Sequence, residues 1–326
     1  VAEFMPAWKA AQPLPGLEVP KPNPFLPRSL DLKAPRARRR ERGTAVIPQE
    51  RRKDDRFKVF FRQDTEFGIP KAYVYVQLLT PFPRSSAKCA IMSRLYELLI
   101  DDALKEELLY DANVAGLIFG IRSGGRGLLL SFGGYDDRLV DFARTAMAQV
   151  RAWSPAKSAD RFEAQRDVLV RELDSFRTQQ PFAQAGYYAT LATTLPDFKL
   201  EELQDELGKA KLSDVAEFVE RLWTREAKYA QVLAQGNLRP DEADKIVAAV
   251  ENALPFEPLP EGGFPRSQIV QVTRRSTGPG SVLVNRAMDA KEENSAVSVI
   301  YQTGSAGAAD GEEGRARWAA TKVLAA

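Results

Sequence analysis

Phe57-Lys58-Val59-Phe60-Phe61-Arg62 and Ala72-Tyr73-Val74-Tyr75-Val76-Gln77-Leu78-Leu79-Thr80 are β-branched and aromatic runs separated by a turn-like stretch, Gln63 to Lys71. Two further strand-like runs, Gly116 to Arg122 and Gly127 to Phe132, are joined by Ser123-Gly124-Gly125-Arg126. Between the two pairs, Ser85 to Asp111 carries Ile91, Met92, Leu95, Leu98 and Leu99 at helical spacing. Strands joined by short connections pair antiparallel, and helices then cover one face of the sheet.

Working towards the C-terminus, a long helical region spans Asp137 to Thr194, with Phe162, Leu169, Leu173 and Phe176 as its clearest stripe. Val215, Phe218, Val219 and Leu222 form a second stripe, with Ser213 as its expected N-cap. Lys228 to Ala234 is a strand that ends in Gly236-Asn237. Pro240 to Ala253 has proline at its first helical position, acids in its first turn, and Ala243, Ile246, Val247 and Val250 on one face. The prediction is an α+β unit over 57–254, with a mainly antiparallel sheet covered on one face by helices.

Around that unit, residues 1–35 are proline-rich and predict an extended linker from a preceding domain. Residues 36–56 predict a basic loop, and 255–280, rich in Pro and Gly, a second linker. Ser281 to Asn285 and Ala296 to Gln302 look like the opening strands of another unit, 281–326, that is not completed. The chain starts at Val1 and stops inside a helix-like stretch, Ala316 to Ala326, so it reads as a piece of a longer protein.

Composition narrows the chemistry. The 326 residues include no histidine and one cysteine. An internal disulfide is impossible, and a reducing, cytoplasmic setting is expected. Catalytic zinc is usually held by His, or by His with Glu or Cys, and Ser-His-Asp or Cys-His systems need an imidazole. The net charge of +2 gives no general attraction to nucleic acid or membrane, and no apolar run is long enough to span a bilayer.

Candidate sites give little. The loop Ser123 to Gly127 leads into a strand rather than a helix, so it reads as a hairpin turn and not a phosphate cradle. Asp101-Asp102, Glu106-Glu107 and Asp136-Asp137 are adjacent pairs whose side chains diverge on a helix. They read as solvated faces and, for Asp136-Asp137, a helix start. Arg36 to Arg42 has no interleaved aromatic residue for base stacking, so it reads as a solvated loop, with anion binding or nuclear import as alternatives. Cys89 shares a helical face with Met92 and Leu99 and reads as core.

A series of strings carries a resemblance. In order they are Asn23-Pro24-Phe25-Leu26-Pro27, Phe61-Arg62-Gln63-Asp64 with Phe67 and Pro70-Lys71, Pro81-Phe82 and Tyr96-Glu97-Leu98-Leu99. They continue with Ala115-Gly116-Leu117, Gly134-Tyr135-Asp136-Asp137, Phe176-Arg177 with Gln179-Gln180-Pro181, Tyr187-Tyr188, Gly236-Asn237 and Tyr301-Gln302-Thr303. Together they resemble the middle of the insulin-degrading-enzyme (pitrilysin) family of zinc metallopeptidases, over nearly the whole chain except Arg36 to Arg56.

The resemblance implies four similar α+β units in two bowl-shaped halves around a chamber, with zinc on a His-x-x-Glu-His helix of the first unit. This chain corresponds to the end of the second unit, the whole third and the start of the fourth. No catalytic, cofactor-binding or metal-ligating residue carries over onto it, and zinc is expected in the full-length protein only. The implied role is chamber wall and substrate size selection. The implied partners are the N-terminal catalytic half and peptide substrates, with a homodimer as a further expectation. An inactive structural subunit of the same fold is the alternative.

Overall fold

The computed structural model describes residues 21–34, 47–193, 197–260, 262–264 and 282–300, with 312–314, 316, 319 and 320. The basic run Arg36 to Arg42 and the stretch 265–281 lie outside these residues.

Six strands form one sheet in the order β1-β2-β6-β3-β5-β4. They are β1 (Gln49–Lys53), β2 (Phe57–Gln63), β3 (Lys71–Leu79), β4 (Leu117–Gly124), β5 (Gly127–Tyr135) and β6 (Tyr229–Gly236). Four pairings are antiparallel, while β2 and β6 run parallel because a long crossover separates them. The helices are α1 (Ala87–Leu104), α2 (Tyr110–Val114), α3 (Leu139–Ala152), α4 (Phe162–Ser175), α5 (Pro181–Thr193), α6 (Leu200–Lys209), α7 (Leu212–Thr224) and α8 (Pro240–Ala253). A π turn, Lys105–Leu109, links α1 to α2.

Alternation decides which face the helices cover. In β3 the side chains of Ala72, Val74, Val76 and Leu78 are fully buried, and their cross-strand partners Ala234, Val232, Phe132 and Leu130 point the same way. Against this face pack Leu95, Tyr96 and Leu99 of α1, Phe142 and Met147 of α3, and Ile246 and Val250 of α8. Helix α1 starts where the Ser86 hydroxyl accepts the Cys89 N–H at 3.1 Å. The α+β arrangement with one covered face matches the expectation from sequence.

Several details differ. Residues 49–53, expected as loop, form the edge strand β1. Gln-Glu-Arg-Arg-Lys has no strand propensity; ion pairs of Arg51 with Asp244 (3.0 Å) and Arg52 with Glu251 (2.8 Å) tie it to α8. Charged edge strands also resist pairing with other chains. Ser213 is not an N-cap: α7 starts one residue earlier, at Leu212, and the Asp214 carboxylate accepts the Lys211 N–H at 3.0 Å. Helix α6 is additional to the predicted set, although Leu200, Leu203 and Leu207 have helical spacing. Of the expected strands Ser281 to Asn285 and Ala296 to Gln302, the parts 282–285 and 296–300 form no strand and are mostly exposed, while residues 281, 301 and 302 lie outside the described residues.

Lys228 is 1% exposed, beneath the rings of Trp223 and Phe256, and donates to the Glu226 carbonyl at 2.6 Å. Its backbone pairs with Glu257 and Leu259, fixing the chain after α8. Burial holds its ammonium down from 10.5 to about 8. Between those values the unfolded chain binds more protons than the folded one, so stability rises with pH. The gain expected from about pH 8 to pH 10 is at most roughly 3 kcal/mol. Urea unfolding across this window should show the rise, and Lys228→Met should flatten it while stabilising the protein at neutral pH. A flat wild-type profile contradicts the burial.

Candidate functional site

Two features stand out on this scaffold: the sheet face that no helix among the described residues covers, and a strap across the end of the sheet. Pairing registers define the open face row by row. One row is Ile118, Gly133, Tyr73, Gln235 and Arg62; the next is Gly120, Ser131, Tyr75, Leu233 and Phe60; the third is Arg122, Leu129, Gln77, Gln231 and Lys58. Tyr73 and Tyr75 stack with centroids 6.5 Å apart, and Tyr75 is 37% exposed. A side chain on Gly133 would strike the Tyr73 ring at 2.4 Å, so glycine there lets the ring lie flat against β5.

The charges on this face are mostly cationic. Lys58 lies 3.4 Å from Glu50, Arg62 lies 2.6 Å from Glu66, and the Lys71 ammonium sits 5.0 Å from the Tyr135 ring centre. These rows hold aromatic surface, amides and cations, and no nucleophile–base pair lies within them.

The strap is residues 23–34, part of the stretch expected to be a free linker. Phe25 is buried against Phe142 in an edge-on contact at 5.4 Å. Asn23 donates to the Asp111 carbonyl at 2.7 Å, and Asp137 accepts the Arg28 N–H at 2.8 Å. The Asn237 amide takes the Lys33 N–H at 2.7 Å and donates to the Asp31 carbonyl and Asp136, each at 2.9 Å. The Lys33 ammonium lies 2.7 Å from Asp136 and 2.8 Å from Glu242; it and Glu242 are 13% exposed and Asp136 is 4% exposed. Such a buried cluster is tolerated because each charge has an opposite partner in contact.

The socket sits at the starts and ends of strands: Asn237 N–H bonds to the Lys71 carbonyl and Asp136 N–H to that of Pro70. Asn23 to Phe25, Pro70-Lys71, Gly134 to Asp137 and Gly236-Asn237, scattered through the sequence, thus meet at one place.

The other candidates do not converge. Ser123 to Gly127 is a tight hairpin between β4 and β5. Asp101 pairs with Lys105 at 3.0 Å and Asp102 with Arg161 at 2.9 Å. Glu106 is exposed, and Cys89 is half-buried against the core. Asp136-Asp137 does open a short helical turn before α3, as expected, but sequence reading missed that Asp136 is buried and bonded. It also missed buried Glu97, which accepts the Ser123 N–H and pairs with Arg94 at 2.8 Å. Nothing in the local pattern distinguishes these acids from solvated ones.

The zinc of the family does not fit the residues present. The chain has no histidine, and no group of three His, Cys, Asp or Glu side chains among the described residues could hold a metal. No helix among the described residues is long and apolar enough to cross a membrane.

The fold is of the pitrilysin type: it is similar to the crystal structure of pitrilysin, with TM-score 0.65 and 22% identity over 74% of this chain and 24% of that one. Residues 1–206 match the family described as the middle or third domain of peptidase_M16, and the chain belongs to that family. It is 30% identical over 253 residues to insulin-degrading enzyme-like 1, peroxisomal, of Arabidopsis thaliana, covering 78% of this chain and 25% of the relative. It is 25% identical over 301 residues to the insulin-degrading enzyme of Homo sapiens, covering 92% of this chain and 28% of the relative. The chain thus spans about a quarter of the length of the curated relatives it matches.

Proposed function

We propose that this chain is part of the wall of an enclosed chamber in a zinc metalloendopeptidase, with its open sheet face turned towards the captured peptide. The observation that carries the reading is the uncovered face itself: rows of Phe60, Tyr73, Tyr75, Leu129 and Leu233 bordered by Lys58, Arg62 and Arg122. Aromatic and aliphatic side chains hold extended peptide of many sequences, and a firm wall limits what can be enclosed. The zinc and its water-activating residues come from another part of the same protein. Cys89 as sole thiol suits a reducing compartment, the cytoplasm included.

A peptide carrying a photoreactive group should cross-link to Tyr73, Tyr75 or Leu233 in the purified chain. Replacing Tyr75 and Leu233 together with alanine should weaken binding about tenfold. Cross-links confined to the helical side would sink the reading. The chain alone is expected to cleave no fluorogenic peptide; chelator-sensitive cleavage with stoichiometric bound zinc would overturn the assignment of the zinc to another part.

A further inference from the structure

We propose that residues 23–34 form a clasp that leaves and re-enters its socket as a unit while the sheet stays folded. Among the described residues the strap makes no backbone–backbone hydrogen bond to the sheet or helices; the side chains of Asp137 and Asn237 hold its backbone, and its own Asn23 side chain reaches the Asp111 carbonyl. Only Phe25 in it is a buried apolar side chain. Its remaining anchor, Lys33 between Asp136 and Glu242, consists of groups that water solvates well once exposed. A segment with few apolar contacts and side-chain-only anchors opens at lower cost than the core strands it crosses.

Opening would have a large consequence. Twelve residues freed from the socket can extend to about 40 Å, which is slack on the scale of a domain. Whatever precedes Asn23 could then move away from the sheet and return to the same place. The use of that slack to admit peptide to a chamber rests on the proposed function; the clasp itself does not.

Hydrogen exchange resolved by residue tests it on the whole chain. In the wild type, the Arg28 and Lys33 amides should be protected at least about tenfold over an unstructured chain, yet exchange far faster than those of β3 and β6. Lys33→Met should bring strap exchange close to the unstructured rate and leave the sheet unchanged. Asn237→Ala should do the same, and if that variant fails to fold, Lys33→Met, which lies outside the sheet, still decides. Strap and sheet exchanging together, with Lys33→Met accelerating both, would show the strap to be an inseparable part of the fold and overturn the proposal. An unprotected wild-type strap would overturn it as well.

Discussion

Replacing Gly134 with alanine is expected to remove a large part of the protein's stability. Gly134 sits in β5 with φ of +122°, where a side chain is strained whatever the space. An added Cβ would lie 2.1 Å from the Gly116 carbonyl oxygen and 2.8 Å from the Leu117 Cα. Both obstacles are backbone, so no rotamer change relieves them; β4 must part from β5, or β5 must change its twist. The dihedral strain alone costs on the order of 1–3 kcal/mol. Forcing the strands apart adds lost packing of Leu117 and Phe132, for a total of roughly 4 kcal/mol or more, against a usual domain stability of about 5–15 kcal/mol.

Gly124 is the control. It lies in the same hairpin, has no positive φ, and an added Cβ would meet nothing within 4 Å. Gly124→Ala should change stability by less than about 1 kcal/mol. Urea unfolding of both variants checks the pair, and a Gly134→Ala protein as stable as wild type would show the β4–β5 register to be wrong.

This contrast also shows what the sequence makes legible. Runs such as 57–62 and 72–80 announce strands because alternation is local. Pro240 to Ala253 announces a helix because cap, dipole and stripe agree within it. The hairpin at Gly125-Arg126 is equally local. What stays hidden is decided by distant partners. The charges of β1 look solvated until α8 supplies Asp244 and Glu251. Prolines at 22, 24 and 27 suggest an extended linker, but Phe25 and Lys33 have their partners more than a hundred residues away. The socket was visible only as strings shared with a family, without the reason they recur together. The open face was hidden for a related cause: alternation separates two faces but does not say which one helices will cover.

The second large effect is expected at Tyr96. Its side chain is fully buried, with ring centres 5.4 Å from Trp153 and 6.2 Å from Trp223, and its hydroxyl accepts the Trp223 indole N–H at 3.3 Å. Tyr96→Ala should cost about 3–5 kcal/mol, because α1, α7 and the turn after α3 cannot all close on the cavity. Tyr96→Phe keeps the ring and removes the acceptor, leaving a buried N–H unpaired for about 1–3 kcal/mol. A third readout separates packing from polarity. Burial pushes the Tyr96 phenol well above its ordinary range, so the folded state keeps this proton at pH values where the unfolded chain has lost it. Its contribution is therefore fully present below about pH 10 and is lost as pH rises above that. Between about pH 9 and pH 11 the stability of wild type relative to Tyr96→Phe should drop as pH rises, the Lys228 contribution being common to both. Equal slopes would mean that the phenol is solvated in the folded protein, and the aromatic cluster between α1 and α7 would then be packed differently from the arrangement described.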